Sequence, residues 1–298
     1  ALEPGRWYQA LPDGDAVVGY ATGYDAADIA PFVTSLRAHY DGQAALIVDP
    51  DPELRAFLAN HAVTALDAPH WQGWAPHPVM QRFVAFSALA GGGQGSMLAC
   101  DVRDVIFQGA PLSPAPLELE AYVEAETPLV DHAFNMKYLR ALFGLGTARL
   151  VEPLPCLCVG TLVGPRDQLA RLSRLILTLA STPRSEIGGA FGADQAGFNL
   201  AVHLGLIGAA VKPNYGRVAT LGLTKSETLA FRDGKVVNPD QTTSAIVHQH
   251  DRHPHLDEPV HRLWGAGLEH RNRVRPRSVS ERAAKLGASL RRKTPELR

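Results

Sequence analysis

The segment Met97-Leu98-Ala99-Cys100-Asp101-Val102-Arg103-Asp104-Val105-Ile106 sets the tightest limit on the fold of this chain. Its apolar opening is too short for a helix and reads as a buried strand. Asp101, Arg103 and Asp104 follow at once, where an apolar core would reject them. Open α/β sheets bind ligands at the carboxyl ends of their strands. Two carboxylates in such a cleft suit a hard divalent cation, which in turn suits a phosphate. The residues alone leave a plainer alternative open, a capped strand end in which Asp101 and Asp104 pair with Arg103.

The sequence before this segment alternates strand and helix patterns, which predicts right-handed crossovers and a largely parallel sheet. Ala16 to Tyr20 reads as a strand, and Ala26 to His39 as a helix with Asp25 as its N-cap. Ala44 to Val48 is a second strand, stopped by Asp49-Pro50, and Asp51 then caps a helix carrying Leu54, Phe57 and Leu58. A third strand is expected at Val63 to Leu66, and a helix from Val79 to Leu89 runs into Gly91-Gly92-Gly93. After the charged segment, Leu117 to Val123 alternates as a strand with one wet face would. Cys156 to Gly160 is a short strand with both cysteines on one face. Arg166 to Leu179 and Asp194 to Leu204 are helices, Asp233-Gly234 turns a hairpin, and Ala245 to Val247 is a last strand.

At 298 residues, with 46% hydrophobic and 20% charged residues, the chain can bury a large core. A net charge of -1 argues against bulk attraction to nucleic acid. Three cysteines are too few for a disulfide framework, and no leader or membrane-spanning run is evident, so a cytoplasmic setting is expected. From Arg271 to Arg298, ten Lys or Arg face only two Glu. This basic tail, with a peripheral helix expected from Glu281 to Arg292, is a candidate contact for anionic lipid. A solvated surface helix is the alternative.

Two further constellations could carry chemistry. His248-Gln249-His250-Asp251-Arg252-His253-Pro254-His255 follows an apolar strand. If it stays extended, His248, His250 and Arg252 point the same way, offering an imidazole ligand and a guanidinium for phosphate. His253 and His255 read better as an exposed loop. In Asp194-Gln195-Ala196-Gly197-Phe198-Asn199, Asp194 suits an N-cap, and Gln195 and Asn199 share a helical face where amides could bond a polyhydroxylated ligand. Upstream, Tyr24 could stack on a flat base, and Asp49 ends a strand where a base or ribose would lie. Both also fit ordinary turns. Arg82 is a surface-helix candidate for phosphate. Gly160-Thr161 either lines a pocket or makes a strand-to-helix turn.

Taken together, these segments resemble nucleotide-sugar glycosyltransferases of the GT-A fold, a Rossmann-like αβα sandwich with a mostly parallel sheet. Asp101 to Gln108 looks like the family's Asp-x-Asp metal motif. Asp194 to Asn199 is similar to the donor-sugar segment of the glycogenin-like and bacterial retaining galactosyltransferase-like branch, and His248 falls where that branch places a third metal ligand. The resemblance covers residues 16 to 255, and the Asp-x-Arg-Asp and His-Gln-x-Asp-Arg-His segments are also loosely similar to bacterial transferases of polysaccharide biosynthesis. One departure stands out: Arg103 occupies the second acidic position, and Asp104 is displaced by one place.

The resemblance implies a catalytic domain over residues 1–270. Its nucleotide-binding half spans about 16–108 and its donor-sugar and acceptor half about 109–255, with the tail at 271–298. It implies Mn2+ or Mg2+ held by Asp101, Asp104 and His248, and a nucleotide-sugar donor, UDP-sugar favoured. Tyr24 and Asp49 would hold the base; Arg82, Arg103, Thr161 and Asn199 would line the donor site. Asp194 and Gln195 would meet the sugar, and Arg252 the departing diphosphate. A glycan or other hydroxyl is the implied acceptor. Glu186 or Asp194 could act as base in an inverting reaction. The alternatives are a nucleotidyltransferase, which would need a basic Gly-rich loop that Gly91-Gly92-Gly93 does not provide, and a catalytically silent sugar-nucleotide-binding scaffold.

Overall fold

The computed structural model describes residues 8–69, 76–181 and 190–269, and one compact unit extends through residue 268. Its strands are β1 (Ala16–Tyr20), β2 (Gln43–Val48), β3 (Thr64–Asp67), β4 (Ser96–Cys100), β5 (Val105–Phe107), β6 (Glu120–Pro128), β7 (Pro155–Pro165), β8 (Ala210–Lys212), β9 (Val218–Thr220), β10 (Ala230–Arg232), β11 (Lys235–Val237) and β12 (Ile246–His248). Seven of them form a central sheet in the order β3-β2-β1-β4-β7-β6-β8. All run one way except β7, which is antiparallel to both neighbours. The fold is therefore α/β with a mixed, mostly parallel sheet.

Both faces of this sheet are covered, and the period of two along each strand shows it. Val18, Ile47, Met97 and Ala99 pack with Phe83 and Phe86 of α3 (Pro78–Ala90), Leu139 of α4 (Ala133–Val151), Leu169 of α5 (Arg166–Ala180) and Phe198 of α6 (Ala193–His203). Their neighbours Val17, Leu46 and Leu98 turn the other way, onto Ile29, Phe32 and Leu36 of α1 (Ala26–His39) and Leu54 and Leu58 of α2 (Pro52–Asn60). As expected, Asp25 caps α1, completing a reciprocal box with Asp28, and Asp51 caps α2. α7 (Pro254–Trp264) closes the C-terminal side. The expected helix at 281–292 and the basic tail lie outside the described residues, as does Glu186.

β6 corrects the expectation of a half-wet strand. It starts at Glu120, after an exposed Leu117, and lies between β7 and β8. Its carboxylates find protein partners in place of water: Glu120 takes Arg217 at 3.0 Å, and Glu124 takes Gln195 at 2.7 Å. The glycine run Gly91-Gly92-Gly93 also has a packing role. A Cβ on Gly93 would lie 2.7 Å from Nη1 of buried Arg166, whose guanidinium donates to the carbonyls of Leu11, Pro12 and Leu89.

A second, three-stranded sheet, β5-β12-β9, positions the site. β5 follows β4 after only four residues, and β12 pairs antiparallel to it with His248 opposite Val105. That register sets a residue from the end of the chain beside the Asp101–Asp104 turn. The amide of Gln249 donates to the Asp104 carbonyl at 2.7 Å and locks the arrangement.

Candidate metal and ligand site

Strand order reverses between β1 and β4, so the crevice beyond their carboxyl ends is the topological switch point of the sheet. Asp101, the first residue past β4, is half-buried; Asp104 and His248 are buried. His248 Nε2 lies 3.3 Å from Asp101 Oδ2 and 3.7 Å from Asp104 Oδ1. One ligand atom from each of the three falls within 4.8 Å of the others, a spacing that could hold a metal ion. The buried Nε2 atom faces both carboxylates without a well-aligned hydrogen bond to either. Two carboxylates and an imidazole make a mixed oxygen and nitrogen set, suited to Mn2+ and tolerable for Mg2+. The group therefore fits a divalent cation.

Arg82 is the main correction to the sequence reading. It is not on a surface but 5% exposed, and its guanidinium joins the turn after β4 to the start of α6. Nη1 donates to Asp101 Oδ1, and Nη2 to Asp194 Oδ2 at 2.8 Å. Asp194 is buried in the first turn of α6; Gly192, in a left-handed conformation, takes the N-cap position instead. Burial pushes the carboxyls of Asp104 and Asp194 up. It acts on Asp101 in the same sense, but Arg82 and the His248 contact outweigh it and hold that carboxyl at about 2. Burial works against a charge on His248, yet Cys158, Asp104 and Asp101 around it raise its pKa well above the usual imidazole value.

The surrounding cavity is lined by Tyr20, Tyr24, Arg82, Asp101, Arg103, Asp104, Cys158, Gly160, Asp194, Gln195, His248 and Arg252, with Phe134 and Phe191 among its apolar walls. Arg103 does not point at Asp101 or Asp104; it donates to Asp251 at 2.8 Å beside Tyr24. Arg252 is half-exposed at the cavity and 3.5 Å from Asp251. The Gln195 amide donates to Glu124 at 2.7 Å and to Asn135 at 3.2 Å, which leaves Oε1 for a ligand.

Three expected site residues are placed elsewhere. Asn199 is fully buried, spending its amide on the backbone N and O of Leu157 and the carbonyl of Gln195; it ties α6 to β7 and lies off the cavity wall. Thr161 is buried in the middle of β7, opposite Cys100, so Gly160-Thr161 is no turn, and only Gly160 reaches the cavity. Asp49 also lies off the cavity wall, its Oδ2 accepting the Gly23 amide at 2.6 Å and shaping the loop after β1.

The extended reading of the histidine segment fails at Gln249, whose left-handed backbone (φ 65°) breaks the strand. His248 and His250 therefore diverge. His250 turns away to Asp257 of α7, 3.4 Å distant, which His261 also approaches at 3.3 Å. His253 is buried, not looped out: Ser226 Oγ lies 2.7 Å from its Nδ1 and the Leu221 carbonyl 2.8 Å from its Nε2. His255 is exposed.

The sequence reading offered Gly160 as a pocket residue but missed Cys158, together with the polar knot of Glu124, Asn135 and Cys156 behind Gln195. Cys158 Sγ sits 3.5 Å from His248 Nδ1, so Asp101, His248 and Cys158 line up like a nucleophile relay. Burial pushes the Cys158 thiol up, against the pull of His248, which opposes a reactive thiolate. No protein-family model matches the chain, and no curated protein does. Among the described residues, no helix is long and apolar enough to cross a membrane.

Proposed function

We propose that this chain is a GT-A-like glycosyltransferase that moves a sugar from a nucleoside-diphosphate donor, UDP-linked by the resemblance, to a glycan or other hydroxyl acceptor. The observation that carries the reading is the Asp101–Asp104–His248 ligand group at the switch point, with Nε2 of His248 buried and facing both carboxylates. Asp101, Asp104 and His248 would hold the divalent ion, which when bound neutralises the diphosphate as the glycosidic bond breaks. Arg252, half-exposed at the cavity, adds a cation for the same charge. Tyr24 and Arg103 form a wall on which a base can rest. Asp194, oriented by Arg82, and Gln195 offer oxygens to sugar hydroxyls.

A panel of nucleotide sugars with Mn2+ tests the proposal. Sugar transfer or slow donor hydrolysis supports it. Pyrophosphate release from a nucleoside triphosphate would replace it with nucleotidyl transfer, and donor binding without turnover with a silent scaffold. Asp101→Ala should abolish metal-dependent donor binding; undiminished calorimetric affinity in a folded variant would refute the assignment.

A further inference from the structure

The metal reading leaves one wall of the site without a stated role, the first half of β7. That strand is 11 residues long and β4 only 5, so residues before Gly160 run past the end of β4 and alongside the ligand group. Cys158 and Gly160 both line the cavity there. Gly160 admits the His248 ring, since a Cβ at that position would lie 2.7 Å from Nε2 and 2.7 Å from Asp101 Oδ2. Cys158 meets the opposite nitrogen of the same ring. Its Sγ is 3.5 Å from Nδ1 and also accepts the Gly160 amide at 3.4 Å, which fixes the sulfur in place.

We infer that Cys158 is a positioning residue for His248: its sulfur accepts the Nδ1–H hydrogen bond that turns the Nε2 lone pair toward Asp101 and Asp104. An imidazole that ligates through Nε2 must carry its proton on Nδ1, and that proton needs an acceptor in a buried site. Cys158 Sγ is the acceptor within reach among the hydrogen bonds of the described residues. The usual acceptor at this place is a carboxylate or a carbonyl, either of which makes the imidazole a stronger donor. A thiol is a weaker acceptor. It orients the ring through Nδ1, while the carboxylates on the other side face Nε2.

The inference rests on the proposed metal site, and two measurements keep the two ideas separable. Calorimetry with Mn2+ alone compares the full chain with Cys158→Ala and Cys158→Ser. Removal of the acceptor should weaken binding by about 10- to 100-fold. Serine, which still accepts, should recover most of the affinity. Nitrogen-15 spectra of the metal-free chain, at a pH that leaves the imidazole neutral, read the His248 tautomer directly. The Nδ1–H form should dominate in wild type and in Cys158→Ser, and lose that dominance in Cys158→Ala. If wild type shows the Nδ1–H form but binds no Mn2+, the metal proposal fails and the positioning role stands. Equal Mn2+ affinity in wild type and Cys158→Ala, or an Nε2–H form in wild type, overturns the positioning role. Should Cys158→Ala not fold, the wild-type tautomer and the serine variant still decide.

Discussion

Arg82→Met removes the one cation among the described residues that touches both Asp101 and Asp194, while keeping most of the side chain's volume. The two arms differ in weight. Asp101 is half-exposed, so water replaces much of what it loses. Asp194 is only 4% exposed, and its 2.8 Å bond to Arg82 Nη2 would leave behind an uncompensated buried carboxylate. Breaking a buried pair from one side costs about 3–5 kcal/mol. The lower figure is expected here, since Asp194 can escape by taking a proton. At an unfolding entropy of about 2.1 cal/mol/K per residue, about 3 kcal/mol lowers the Tm of a chain this long by about 5 °C. The pH dependence follows from the same escape. Asp194 is already raised by burial, and without Arg82 it rises further above its unfolded value. The folded variant then binds more protons than the unfolded one, so its stability deficit shrinks as pH falls and grows as pH rises. Thermal unfolding of wild type, Arg82→Met and Arg82→Met/Asp194→Asn across the acidic and neutral range tests this. The double variant should regain most of the loss. A deficit under about 1 kcal/mol, or one that deepens toward acid, would refute the reasoning.

Gly160→Ala should leave the fold largely intact and cripple the metal site. The added Cβ would lie 2.7 Å from both His248 Nε2 and Asp101 Oδ2 and closer still to His248 Cε1, so both side chains must be displaced, and overpacking of this kind costs about 1–3 kcal/mol; unchanged Mn2+ affinity with an intact melt would contradict the geometry. Proton and metal compete for His248 Nε2, whose pKa is raised well above 6.5. Mn2+ affinity should therefore keep climbing above neutral pH, by about tenfold per unit at most, because one proton leaves for each ion bound; titrations that are flat across neutral pH would show that His248 is not a ligand.

Much of the fold was legible because local signals and tertiary demands agree in the first hundred residues. The runs AVVGY and AALIV are apolar on both faces, and Asp25 and Asp51 mark helix starts that the structure keeps. The reading weakened where polar residues are satisfied by distant partners. Glu120 looked like part of a wet strand face because Arg217 lies far off in sequence. α4 gave little periodic signal, being apolar around much of its surface and broken by Gly144 at φ 81°. In the site, Asp101, Asp104 and His248 were recognisable by type and order, whereas Arg82 was not. A lone Arg on a helix carries no mark that its partners are Asp101 and Asp194, 19 and 112 positions away. Asn199 failed in the opposite sense, since an amide that clamps backbone looks in sequence like one that binds sugar.

Because β7 runs against its neighbours, it meets the crevice with its middle, whereas β1 and β4 meet it with their ends. A strand end can be lengthened by inserting residues in the loop that follows. A mid-strand wall has no such slack, since one inserted residue would swap every inward side chain for an outward one. Diversification of ligand preference in chains of this architecture should thus fall on the segments after β1 and β4 and ahead of α6, with Cys158 and Gly160 as the unmoving floor against which they vary.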